Sequence, residues 1–187
     1  KVAFAAFMVK LVNKKADVYL PLFEEAMATA TETELVMILD KVMLPLLKKH
    51  PQRYLQKVFN WTKSTKSAVE KQSFALLIKI AKRNVELIPE IISYFQHSWA
   101  YPLNEKMALH VNLLKMVAKV QPEYYLGIWK EYGIYRDPQI VELLCASVID
   151  YSPEIEPVLE TWVKSGNARV KKASNAAYKL IMKKKGA

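Results

Sequence analysis

Apolar residues recur along this chain at helical spacing, not in the alternation of a strand. Between positions 67 and 83, Val69, Phe74, Leu77, Ile78 and Ala81 gather on one side of a 3.6-residue helix. Stretches of this kind come in pairs, a shorter one followed by a longer. The shorter helices are expected near 17–28, 51–62, 85–98, 122–132 and 153–164. The longer ones are expected near 33–49, 67–83, 103–120, 138–150 and 167–185. The five pairs therefore cover 17–49, 51–83, 85–120, 122–150 and 153–185. An additional apolar helix from Ala3 to Val12 precedes them as a half-repeat, and its apolar face implies that something covers it.

Three prolines set the phase. Pro21, Pro89 and Pro157 stand 68 residues apart each time, twice a period of 34, each early in an apolar stretch. Tyr54-Leu55 and Tyr125-Leu126 mark the intervening pairs. Helix-start chemistry falls at the boundaries. Thr31-x-x-Glu34 is a capping box. Asp137-Pro138 and Ser152-Pro153 each place a capping side chain before a proline, at the one helical position where the missing N–H costs nothing. Pro45 lies inside the second helix of pair one and should kink or split it, because it removes a backbone bond and crowds the preceding turn.

A second register agrees with the first. At a constant offset of 101 residues, Trp61, Lys63, Ser64, Val69, Lys71, Ser73, Ala75 and Lys82 coincide with Trp162, Lys164, Ser165, Val170, Lys172, Ser174, Ala176 and Lys183. That offset is close to three periods. Helix pairs of this length, with proline early in the first helix and Val-x-Lys leading into the second, resemble HEAT repeats of the armadillo type. The resemblance implies an all-α, right-handed superhelical array of about five pairs plus the N-terminal half-repeat helix, a single α-solenoid domain over 1–187. The period is shared with tetratricopeptide repeats, but the W-x2-L-G-x2-Y pattern of that family occurs in no pair. In such arrays no pair buries its apolar face alone, so each is covered by the next.

Composition agrees with helix. The 187 residues are 52% hydrophobic with only 4 Gly, too few for the turns a strand-dense fold needs. Cys145 stands alone, so no disulfide framework exists, and an intracellular setting, cytoplasmic or nuclear, is expected. No apolar run reaches the ~20 residues of a membrane span. The first residue is Lys, from which the chain is expected to be a piece of a longer array. Net charge is +10, a balance that suits an acidic partner such as nucleic acid, an anionic surface or an acidic protein.

Catalytic chemistry is sparse. His50, His97 and His110 are scattered without ligand spacing, so neither metal nor cofactor is expected. Cys145, in the run VELLCASVI, reads as a buried structural thiol. The four glycines are too far apart to cradle phosphate. Lysines carry the stronger signal. Lys41 lies on the second helix of pair one, Lys71, Lys79 and Lys82 on that of pair two, and Lys115 and Lys119 on that of pair three. Lys172, Lys179 and Lys183 lie on that of pair five, while pair four offers Glu142 and Asp150 instead. HEAT-like arrays line their concave side with second helices, so the resemblance implies a lysine ladder along one groove. Such a groove tracks a phosphate backbone by charge, with strong salt dependence and little sequence selectivity.

Trp61, Trp99, Trp129 and Trp162 recur near the repeat period, which suits packing between repeats. The string W-x-K-S followed by V-x-K also resembles the repeat entry of bacterial DNA alkylation-repair glycosylases, themselves HEAT-like arrays with a basic concave face. That resemblance implies Trp61 and Trp162 as aromatic contacts to a nucleic acid, but an acid is absent after each tryptophan, where Thr65, Gly166 and Asn167 stand. Two functions fit. One is a non-enzymatic scaffold binding a protein segment along its superhelical surface; the other is a nucleic-acid-binding array using the lysines.

Overall fold

The computed structural model describes residues 2–186, with the side chains of 2–6, 8 and 12–14 outside the description. Every regular element among them is helical. Two compact units divide the chain, Lys1–Leu87 and Ile88–Ala187.

The first unit opens with α1 (Val2–Thr29), broken at Lys15, whose φ of −144° and ψ of 69° are not helical. The expected half-repeat helix and the first helix of pair one thus form one interrupted element, and the expected exposure of Ala3–Val12 falls largely on side chains outside the description. Next comes α2 (Glu32–Ile38), started by the capping box: Glu34 N–H donates to Thr31 Oγ1 at 3.4 Å, and Thr31 N–H to Glu34 Oε2 at 2.9 Å. A π-helical turn, Leu39–Met43, follows, and then α3 (Leu44–Lys49). Pro45 explains that segmentation. Its ring crowds the preceding turn, and the wider π turn, in which Leu44 N–H reaches back five residues to Leu39 O, absorbs it. Two longer helices complete the unit, α4 (Pro51–Trp61) and α5 (Ser67–Ala81), with a 3₁₀ turn at Val85–Leu87. α5 packs on α2, α3 and α4 over a core that includes Phe23, Leu35, Leu47, Leu55 and Leu77.

The second unit begins with α6 (Ile88–Gln96), which runs into 3₁₀ turns at His97–Ala100 and Asn104–Lys106. It continues through α7 (Met107–Val120), α8 (Pro122–Tyr132), α9 (Pro138–Ser147), α10 (Glu156–Val163) and α11 (Ala168–Lys185). α7 packs on α8 and α9, α9 on α11, and α11 on α10, so the longer helices of successive pairs lie side by side. Asp137 caps α9 through Gln139 N–H at 2.9 Å and Ile140 N–H at 3.1 Å. The expected start at Pro153 is corrected. Ser152 Oγ accepts from Glu154 N–H in a tight turn, and α10 begins only at Glu156, with Pro157 in its first turn. α9 likewise ends at Ser147, short of the expected 150, where Val148 turns to extended backbone.

The core of this unit is aromatic. Trp99, Trp129 and Trp162 are each at most 1% exposed. Burial of side chains this large contributes roughly 1.5–3 kcal/mol apiece. Gly133 allows the close approach of α10 to the end of α8, because a Cβ there would stand 2.6 Å from Trp129 O and 3.2 Å from the Val158 methyls.

Candidate functional site

Positions 101 residues apart share more than identity. Ser64 and Ser165 N–H each donate to the tryptophan carbonyl three residues back at 3.0 Å, and each serine hydroxyl then accepts from the N–H two residues on at 3.2 Å. About two turns into the following helices, the fully buried Ser73 and Ser174 donate to Val69 O and Val170 O at 2.7 and 2.8 Å. The same tight turn therefore launches α5 and α11 in the same rotational setting.

That setting aims the lysines. A helix advances about 100° per residue, so Lys172, Lys179 and Lys183 fall within about 40° of one another. They lie opposite the buried stripe of Val170, Ser174, Ala177 and Ile181, and all three are exposed. Lys71 of α5 and Lys82, its C-cap, take the equivalent places and are exposed too. So are Lys41 and Lys119, while Lys115 is half-buried. No ion pair among the described residues engages Lys41, Lys71, Lys82, Lys119, Lys172, Lys179 or Lys183. α11 as a whole carries Arg169 and six lysines with no acidic residue.

Lys79 is the exception and corrects the expected stripe. It lies about 70° round α5 from Lys71 and Lys82, and its Nζ donates to both carboxylate oxygens of Asp40 at 2.6 Å. The position equivalent to Lys179 on α5 is Ile78, which has no charge. In pair four only Ala146 of α9 is exposed, and Glu142 is bonded by Arg169 of α11, Nε at 2.9 Å and Nη2 at 2.6 Å. Arg169 and its partner escaped the sequence reading; the carboxylate had shown only as a gap in the ladder.

The tryptophans do not point outward. Trp61 is buried against Phe23 with ring centroids 5.8 Å apart, and its indole N–H donates to Glu24 Oε1 at 3.1 Å. Trp162 is fully buried against Trp129 at 5.5 Å and donates to Tyr135 O at 3.1 Å. Both rings are spent on the neighbouring first helix, so neither is placed to touch a partner. Trp99 packs edge-on to Tyr132 and donates to His110 Nδ1 at 3.3 Å.

That contact fixes His110 as a core residue. Burial, reinforced by the charge of Lys106, pushes its pKa down to about 4, so the imidazole is neutral and accepts at Nδ1. His50 and His97 are exposed. Burial, with Glu142 adding to it, pushes the Cys145 thiol up to about 12, far from a usable thiolate. Tyr125 is also raised to about 12 by burial and shares a hydrogen bond of 2.8 Å with Ser147. Among the described residues no three His, Cys, Asp or Glu gather as metal ligands, and no helix is long and apolar enough to cross a membrane.

The arrangement offers cationic, hydrogen-bond-donating groups along second helices. No known protein family, no curated protein and no solved structure matches the chain.

Proposed function

We propose that the chain is a non-enzymatic helical-repeat scaffold, a right-handed superhelical array of HEAT-like pairs, whose second helices bind the phosphate backbone of a nucleic acid. The observation that carries this reading is the pair Lys71–Lys82 and its counterpart Lys172–Lys183, exposed at equivalent places opposite the buried faces of α5 and α11. Exposed lysines without carboxylate partners retain their full charge for phosphate, and binding of this kind releases counterions. The side-by-side packing of α7, α9 and α11 and the matched turns before α5 and α11 support the array. The burial of Trp162 and the lack of an acid in the residues that follow it weigh against base excision.

A labelled DNA duplex of random sequence tests this. Binding at low salt should weaken with a log–log slope of about −0.9 for each phosphate contacted. Absence of binding, or binding indifferent to salt, overturns the reading.

A protein segment as partner is favoured by one separate observation. Tyr101, Ile134 and Tyr135 are 70%, 78% and 46% exposed in the loops joining the helices of pairs three and four. Tyrosine and aliphatic side chains exposed together are typical of protein contact surfaces. Loss of a captured protein on Ile134→Asp, with duplex binding unchanged, would separate this surface from the lysines.

A further inference from the structure

Two carboxylates on second helices are each engaged by a base from the next second helix. Asp40, in the π turn of pair one, holds Lys79 of α5 through both its oxygens. Glu142, on α9, holds Arg169 of α11 through two nitrogens, Nε and Nη2. Neither pair is deep. The side chain of Lys79 is 40% exposed and that of Arg169 is 63% exposed. Exposed ion pairs contribute little to stability, commonly under about 1 kcal/mol. Their geometry still matters, because a guanidinium bonded through two nitrogens to a carboxylate has already used the fork that would grip a phosphate.

Their location gives this a consequence. Arg169 lies one turn before Lys172, at the start of the exposed lysine stripe of α11. α9 itself contributes no base, so Glu142 is the charged group standing between the lysines of α7 and those of α11. A phosphate passing along α9 meets a carboxylate whose charge is already matched by Arg169.

Resting on the reading that the second helices bind nucleic-acid backbone, we propose that Glu142 is an affinity-limiting residue of that face. It withholds Arg169 from phosphate, and Asp40 acts in the same way on Lys79. The unoccupied stripe lysines carry binding, and the two latched bases form a reserve that the acids keep out of contact. Glu142→Gln keeps the size of the side chain while removing the charge and replacing one acceptor oxygen with an NH2 donor, so the two-nitrogen grip on the guanidinium is lost.

The test is a double-mutant cycle on a labelled DNA duplex, titrated between about 50 and 200 mM salt. Glu142→Gln should tighten binding several-fold at about 0.1 M salt and steepen the salt slope by about 0.9, the signature of one added phosphate contact. Arg169→Gln alone should not tighten binding, because that base is not in contact and its loss leaves Glu142 unmatched. Arg169→Gln added to Glu142→Gln should abolish the gain. An unchanged slope in Glu142→Gln, or a gain that survives loss of Arg169, overturns the proposal; the second result would assign the gain to removal of a negative charge alone. Should Glu142→Gln lose its helical circular-dichroism signal, the Asp40→Asn and Lys79→Gln cycle in the first unit decides by the same criteria. Failure of the wild-type chain to bind duplex overturns the parent reading, a result distinct from binding without the predicted coupling.

Discussion

The entries to α5 and α11 are built on one plan and anchored in two ways. Both begin with the tryptophan-to-serine turn, both bury a serine bonded to the valine carbonyl four residues back, and both send two lysines outward. They differ in what satisfies the polar groups around them. Trp61 donates to a carboxylate, Glu24, and Lys66 spans to the end of α1, donating to Ala28 O at 3.0 Å and Ala30 O at 2.7 Å. Trp162 donates to a backbone carbonyl, and Asn167 caps its own helix through Arg169 N–H at 3.0 Å and Val170 N–H at 3.3 Å. What repeats is the turn and the outward charge; the tethers are local solutions. A feature reproduced over different tethers belongs to the shared turn sequence and not to one loop.

Truncation of the indoles tests that distinction most severely. Trp162→Ala should cost about 3–5 kcal/mol, since the ring is fully buried against Trp129 and little can collapse into its place. Trp61→Ala should fall at the lower end of that range, because its ring retains some contact with solvent. Chemical denaturation with a common m-value would measure both, and a larger loss at Trp61 would reverse the order.

Trp99 adds a third tether, and this one titrates. His110 has a folded pKa of about 4, lowered by burial, against 6.5 when unfolded. The unfolded chain therefore binds the extra proton between those values, so stability falls as pH drops from about 6.5 toward 4 and is flat for this group above 6.5. The loss over that window is on the order of 3 kcal/mol. His110→Asn should be less stable at neutral pH but should lose most of this dependence; a retained slope would assign it elsewhere.

Smaller effects separate the two helix entries. Lys66→Met removes the donor at the end of α1 and should cost about 1–2 kcal/mol, part of it recovered by water at these partly exposed carbonyls. Asn167→Ala should cost about 1 kcal/mol, the usual value of a cap. The Lys66 change should loosen α1 in the first unit, and the Asn167 change the start of α11, which hydrogen exchange would resolve.

Much of this was legible in the residues. The 101-residue register and the prolines Pro89 and Pro157 marked helix starts because each records a local requirement: proline is favoured in the first helical turn, and the serine turn needs its side-chain acceptor; Pro21, inside α1, marks no start. Where local signals competed, the reading slipped. Pro45 opened a π turn as well as a new helix, and Ser152-Pro153 closed a turn on itself before α10 could start. The site was less legible. That Lys71 and Lys172 stand outward follows from helical phase, but that Lys79 meets Asp40 and Arg169 meets Glu142 depends on which helices lie side by side. The inward course of Trp61 and Trp162 was likewise set by neighbours far away in sequence, Phe23 and Trp129.

The central claim is that the outward lysines of the second helices bind nucleic-acid backbone. Its most direct test is the double charge reversal Lys71→Glu/Lys172→Glu, assayed by retention of labelled duplex at low salt beside circular dichroism and the thermal midpoint. Both lysines are exposed and unpaired among the described residues, so the helical signal and midpoint should stay within the range of other surface substitutions, under about 0.5 kcal/mol. Duplex retention should be lost. Retention at the wild-type level, with the wild-type salt slope, would contradict the account and place the binding face elsewhere.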